Sequence, residues 1–144
     1  MPLALDQLLA GFNIAAPAIA LTDMQLDTRL LQPGSLFLAL QGHAIDGRRF
    51  MQQAEQSGAA AILFDNGDGF VPPRLNIPCI AVPALAEKVS ELAGRFYDEP
   101  AQKLALVGVT GTNGKTTTKE LVSAVLAKKF NVMHTEGNFN NDVG

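Results

Sequence analysis

The chain has 144 residues, of which 47% are apolar and 17% are charged. This composition excludes a disordered chain and is typical of one ordinary globular domain or of two small ones. The net charge is −3, and no cluster of basic residues is larger than Lys128-Lys129, which argues against nucleic acid or an anionic membrane as a partner. We therefore expect a monomer whose partner is a small molecule.

The single cysteine, Cys79, lies among apolar residues, which excludes an internal disulfide and predicts a buried thiol rather than a nucleophile. The N-terminus has no basic region before its apolar residues, and no apolar run reaches the length that spans a membrane. These features predict a cytoplasmic protein with neither a signal peptide nor a membrane anchor.

Segments with the periodicity of strands and helices alternate over residues 1–100, separated by glycine- and proline-containing turns. This alternation predicts a small α/β layer domain that ends at a linker over residues 98–102. The predicted helices cover residues 4–10, 48–57 and 84–97. The predicted strands cover residues 23–29, 36–40, 59–64 and 77–82, and the first of them passes into a loop. Residues 65–76 are predicted to form a surface loop.

The pattern of residues 101–144 predicts the first βαβ unit of a second domain. A buried strand over residues 104–110 leads into a glycine loop, a helix runs from Lys115 to about residue 129, and a strand starts at Asn131. The predicted buried face of the helix carries Leu121, Val122, Val125 and Leu126. One such unit cannot supply a metal-binding acid and an acceptor site as well, so we expect the N-terminal portion of a longer enzyme.

The glycine loop has the chemistry of a phosphate site. Gly111 and Gly114 allow inward-pointing backbone N–H groups, the helix dipole adds partial positive charge, and Lys115 adds a full one. The strict phosphate-loop pattern needs a glycine where Val109 stands, so the loop is a shorter variant, and the alternative is a turn with incidental glycines. Thr116, directly after the lysine, is the candidate Mg²⁺ ligand.

The string Gly111-Thr112-Asn113-Gly114-Lys115-Thr116-Thr117 resembles the ATP loop of the Mur ligases, which build the peptide of bacterial cell-wall precursors. The resemblance covers essentially the whole chain. Besides the loop, segments within residues 26–61 are similar to the UDP-binding N-terminal domain of this family. These segments are Leu26-Asp27-Thr28-Arg29, the run from Pro33 to Leu40, Gly42-His43, Asp46-Gly47-Arg48 and Gly58-Ala59-Ala60-Ala61.

Two members of the family share the resemblance. Residues 93–100 are similar to MurE, which adds the third residue of the peptide, whereas residues 135–144 resemble MurF, which adds D-Ala-D-Ala. The resemblance implies first a MurE-like ligase that adds an amino acid to UDP-N-acetylmuramoyl-L-Ala-D-Glu. The alternatives are a MurF-type ligase that acts on the UDP-N-acetylmuramoyl-tripeptide, and an inactive fragment that only binds UDP-sugar or nucleotide. A different phosphate-loop kinase or NTPase is a further alternative, against which Val109 and the motifs before residue 60 argue.

The resemblance also implies roles for individual residues. Leu26, Thr28, His43 and Ala44 would contact uridine or its diphosphate, although Thr28 and His43 taken alone fit a solvated turn and a loop histidine better. Residues 111–117 would bind ATP, with Lys115 and Thr116 catalytic and Thr116 on Mg²⁺. The family reaction activates a substrate carboxylate to an acyl phosphate, which an amino acid or dipeptide amine attacks. Asn138, Asn140 and Asn141 would contact nucleotide or substrate, or simply form a turn.

Overall fold

A computed structural model describes residues 3–42 and 45–135 of the chain. Its backbone contacts divide the chain into two units, Met1–Pro100 and Ala101–Gly144. In the described ranges no helix has both the length and the apolar character needed to cross a membrane.

The first unit contains a sheet of four parallel strands whose spatial order follows the chain order. Parallel strands need crossover connections, which the alternating segments of the sequence provide. The strands are β1 (Asp23–Gln25), β2 (Ser35–Ala39), β3 (Ala61–Phe64) and β4 (Cys79–Ala81). Every residue of β2 and β3 is buried, as expected for apolar runs in the centre of a parallel sheet.

Helices cover both faces of this sheet. They are α1 (Leu5–Leu8), α2 (Met51–Gln56), which follows a 3₁₀ turn over Gly47–Phe50, and α3 (Leu85–Phe96). Because side chains alternate along a strand, Leu36 and Leu38 of β2 join one apolar cluster with α1 and α3, while Phe37 and Ala39 join a second cluster with α2. The predicted α/β fold is therefore confirmed.

Two short segments differ from the expectation. The predicted linker over residues 98–102 includes part of a helix, α4 (Pro100–Lys103). The Cys79 thiol, predicted to be buried, is half-buried at the start of β4 and packs beside the second apolar cluster. Desolvation, helped by the charge of Glu55, raises the pKa of this thiol, so it remains protonated and is a poor nucleophile.

The second unit contains α5 (Lys115–Leu126), which begins where the sequence predicts. The two flanking strand predictions are wrong for the described residues: residues 104–110 and 131–135 have no strand assignment, and Leu106 is 73% exposed. A strand exists only where a neighbour accepts and donates its backbone hydrogen bonds, and no described segment pairs with these runs. The predicted burial of the α5 apolar face is wrong for the same reason, since no residue of α5 is buried.

Candidate functional site

The glycine loop of the second unit leads directly into α5. Gly114 is the N-cap of this helix, with φ of +75°, a conformation that glycine adopts without strain and other residues adopt at a cost. Its carbonyl accepts the first helical hydrogen bond, from the Thr118 N–H at 2.9 Å. The N–H groups of the first turn have no partners within a helix, so this end of α5 can bind an anion.

Lys115 extends back across the loop. Its Nζ donates a hydrogen bond to the Gly111 carbonyl oxygen at 2.6 Å, which places the ammonium beside the loop backbone. The side chains of Thr112, Asn113, Thr116 and Thr117 are exposed around it. The structure thus brings together the residues that the sequence predicts for phosphate binding.

These residues fit a polyphosphate better than an isolated metal ion. A full positive charge, a helix N-terminus and glycine backbone match phosphate oxygens. Among the described residues, no group of three or more His, Cys, Asp or Glu side chains could hold a metal. The Thr116 hydroxyl would hold Mg²⁺ together with bound phosphate oxygens and water, which are the usual ligands of this ion in phosphate sites.

The predicted uridine contacts of the first unit begin at the carboxyl end of β1, where open parallel sheets bind ligands. Leu26 is 42% exposed, and Thr28 is partly exposed at the start of a 3₁₀ turn. Asp27 caps this turn through the Arg29 N–H and pairs with the Arg29 guanidinium, whose hydrogen bonds lower the pKa of Asp27 to about 2. Asp27 and Arg29 thus hold the turn, whereas Leu26 and Thr28 remain accessible. His43 and Ala44 lie outside the described residues.

An ion cluster with a buried arginine and partly exposed carboxylates follows β2 and β3, and the sequence alone did not reveal it. Arg48 has a side chain only 3% exposed and forms salt bridges with Asp46 at 2.8 Å and Asp68 at 2.7 Å. The Asp46 carboxylate also accepts the Arg48 N–H, at 3.0 Å, as the cap of the 3₁₀ turn. The only signal in the sequence was the Asp-Gly-Arg string, because Asp68 lies in a segment that predicts no more than a surface loop.

Asp65 adds a second link at this edge of the sheet. One of its carboxylate oxygens accepts the Leu85 N–H at 3.1 Å, at the start of α3, and the other accepts the Gly67 N–H at 2.8 Å. The loop after β3 is therefore tied both to Arg48 and to a helix of the apolar core. Among the described residues, every buried side-chain nitrogen and oxygen has a hydrogen-bond partner.

Two family models match the chain. The model described as "Mur ligase family, catalytic domain" matches residues 21–97, which include the sheet. The model described as "Mur ligase middle domain" matches residues 109–144, which include the glycine loop and α5.

Solved structures of Mur ligases are similar to the chain. A crystal structure of MurF from Acinetobacter baumannii is 26% identical, with a TM-score of 0.78, and the match covers 99% of this chain and 31% of that one. MurF from Thermotoga maritima, solved in complex with ADP, is 30% identical, with a TM-score of 0.66, over 85% of this chain and 27% of that one. A UDP-N-acetylmuramoyl-L-alanyl-D-glutamate–2,6-diaminopimelate ligase shares the fold at 23% identity, with a TM-score of 0.61, over 90% of this chain and 26% of that one. The chain thus spans about a third or less of the length of the structures it matches.

Proposed function

This chain belongs to the Mur ligase family, and from that premise we propose that it is part of an ATP-dependent ligase of peptidoglycan precursor synthesis. In this proposal residues 1–100 bind a UDP-N-acetylmuramoyl-peptide and residues 101–144 begin the ATP-binding domain. The observation that carries the proposal is the contact of Lys115 with the Gly111 carbonyl at the N-terminus of a 12-residue helix, inside the segment that matches the Mur ligase middle domain.

The glycine loop would hold the phosphates of ATP. Backbone N–H groups of Gly111, Thr112, Asn113 and Gly114 would contact phosphate oxygens, as would the first turn of α5 with Thr117. The Lys115 ammonium would exchange its hydrogen bond with the Gly111 carbonyl for a contact with the phosphate, which carries more negative charge. Thr116 and the phosphate would bind the same Mg²⁺ ion. ATP would supply the phosphoryl group that activates the substrate carboxylate. Lys115 would stabilise the negative charge that develops on the phosphate groups during this transfer. The ADP bound to MurF from T. maritima supports this assignment.

The carboxyl edge of the sheet would hold the UDP-sugar. Leu26 and Thr28 lie there with accessible side chains, and the proposal adds His43 and Ala44 through the family resemblance. An apolar side chain beside a hydroxyl suits the flat uracil ring and its polar edge.

Two members of the family remain candidates. A MurE-type ligase, which adds an amino acid to the UDP-N-acetylmuramoyl-dipeptide, is supported by the string Ala93-Gly94-Arg95-Phe96-Tyr97-Asp98-Glu99-Pro100. A MurF-type ligase, which adds D-Ala-D-Ala to the tripeptide, is supported by residues 135–144 and by the identities of 26% and 30% to MurF structures.

Calorimetric titration of the chain with the UDP-N-acetylmuramoyl-dipeptide and with the tripeptide tests the proposal. Tighter binding of the dipeptide would support the MurE type, and tighter binding of the tripeptide the MurF type. Thr28→Val, which replaces the hydroxyl with a methyl group, should weaken binding about fivefold, the equivalent of one hydrogen bond, whereas Thr118→Val should not. Absence of binding to both UDP ligands would contradict the substrate assignment.

A phosphate-release assay separates a ligase from a module that only binds. Release that requires ATP, the UDP-peptide and an amino acid or dipeptide together would demonstrate ligation by this chain. Binding of the UDP-peptide without release would instead support the inactive-fragment alternative.

A further inference from the structure

We propose that Arg48 is a positioning residue for ligand binding at the carboxyl edge of the sheet. It would do so by joining the base of the loop after β2, residues 40–42 and 45–47, to the loop after β3. This inference rests on the proposed UDP-sugar site, but it concerns a residue that the proposed contacts do not include.

The guanidinium of Arg48 is shared between the two loops. On one side Nε and Nη2 donate to the two carboxylate oxygens of Asp46, at 2.9 and 2.8 Å. On the other side Nη1 and Nη2 donate to the two oxygens of Asp68, at 2.7 and 2.8 Å, and Nη1 also donates to the Asp65 carbonyl oxygen at 3.0 Å. Each of the five N–H bonds of a guanidinium can thus be matched to one acceptor, so Arg48 has none to offer a ligand.

On the Asp46 side of the cluster, the backbone of the loop base is closely packed. Gln41 and Asp46 form an antiparallel backbone bridge, and the Gly47 N–H donates to the Leu40 carbonyl oxygen at 2.8 Å. A Cβ atom at Gly47 would lie only 2.9 Å from that same oxygen. The backbone is therefore closely packed here, and a shift of Asp46 would be transmitted to both strands of the loop base.

The Asp68 side is anchored to the core. Phe70 lies under the Arg48 guanidinium, with 4.4 Å between the ring centroid and Cζ. The same ring packs edge-to-face on Phe64, at 6.0 Å between centroids, and Phe64 is buried in β3. The cluster therefore joins the loop base, through Asp46, to a buried strand of the sheet.

The loop base follows β2, the strand that pairs with β1 in the sheet. Gln25 at the end of β1 is in register with Phe37 of β2, so the turn that begins at Leu26 runs beside the carboxyl end of β2. Adjacent strands lie about 4.8 Å apart, so in this proposal a ligand that contacts Leu26 and Thr28 extends over the carboxyl end of β2 towards the loop base. Precise placement of the loop base, residues 40–42 and 45–47, is the contribution that we assign to Arg48.

Calorimetric titration of the whole chain with the UDP-N-acetylmuramoyl-dipeptide and tripeptide, at a temperature where every variant is folded by circular dichroism, tests this inference. Arg48→Lys keeps the charge but loses the planar fork that reaches both carboxylates, and we expect its Kd to rise about tenfold. Asp68→Asn, at a side chain 42% exposed, should raise Kd about threefold by weakening only the far side of the cluster. Arg49→Ala, the exposed neighbour on the same 3₁₀ turn, is the matched control and should bind as the unaltered chain does.

The outcomes separate this inference from the function on which it rests. A residue that serves stability alone would lower the melting temperature of its variants without changing their Kd, and that result would overturn the positioning role. Asp68→Asn decides the matter if Arg48→Lys does not fold. Failure of the unaltered chain to bind either UDP ligand would overturn the UDP-sugar site itself, and the inference with it.

Discussion

The helices α3 and α5 both have 12 residues and apolar side chains at helical spacing, along all of α3 but only over residues 121–126 in α5, and they differ in burial. Leu85, Val89 and Leu92 of α3 are buried against the sheet of the first unit, whereas no residue of α5 is buried. The periodicity that predicts a helix therefore does not ensure burial of its apolar face. Burial also requires a partner surface, which the sheet provides for α3 and which the described residues of the second unit do not provide for α5.

The largest expected effect comes from truncating one leucine in each of these helices. Leu92→Ala removes a fully buried side chain and should lower the free energy of unfolding of the first unit by about 3 kcal/mol. Leu121→Ala, at a position 64% exposed in α5, is the matched change and should alter unfolding by less than about 0.5 kcal/mol. Urea unfolding followed by circular dichroism measures both. Equal losses of unfolding free energy in the two variants would contradict the difference in burial between the two helices.

A smaller effect is expected from adding a methyl group to one glycine in each unit. Gly47→Ala would force a Cβ to within 2.9 Å of the Leu40 carbonyl oxygen, and we expect a loss of about 2 kcal/mol. A Cβ at Gly108 would meet no atom within 4 Å, so Gly108→Ala should change stability by less than about 0.5 kcal/mol. Thermal melts of the two variants provide the comparison. A Gly47→Ala variant as stable as the unaltered chain would show that the loop base is loosely packed.

The contrast also explains what the sequence could predict. The strand β3 lies within its predicted apolar run, and β2 overlaps its own run over residues 36–39, because each has neighbouring strands that complete its hydrogen bonds. The run from Leu104 to Val109 is just as apolar, but the prediction of a strand there is wrong for the described residues, since strand formation depends on a partner that a local pattern cannot reveal.

The candidate sites show the same limit. The residues of the phosphate loop are adjacent in sequence, so their association could be predicted from a short string. The cluster of Arg48 could not, because Asp68 is 20 positions away and becomes a neighbour only through the β2–β3 crossover. Asp65, which accepts the first N–H of α3, was missed for the same reason.

Acid should weaken the first unit through this cluster. Hydrogen bonds from Arg48 lower the pKa of Asp46 and of Asp68 below the ordinary value of 3.8. A lowered pKa means that each carboxylate stabilises the fold above about pH 4, and that this contribution is lost as the pH falls through the folded-state pKa. Urea unfolding between about pH 5 and pH 2 measures the loss of unfolding free energy. Added salt reduces the contribution of exposed pairs such as Asp27–Arg29, because it screens them.

The Arg48→Lys variant is the control for this titration. Its weaker contacts with Asp46 and Asp68 should flatten the pH dependence of the unfolding free energy. An unchanged pH profile in that variant would show that other carboxylates cause the acid sensitivity.

The proposal that the two units bind different ligands is tested most directly by titrating one variant with both. Lys115→Ala removes the ammonium that contacts the Gly111 carbonyl and should abolish ATP binding measured by calorimetry. The same folded variant should bind the UDP-N-acetylmuramoyl-peptide with unchanged affinity. Loss of both ligands in a folded variant, or retention of ATP binding, would contradict the account.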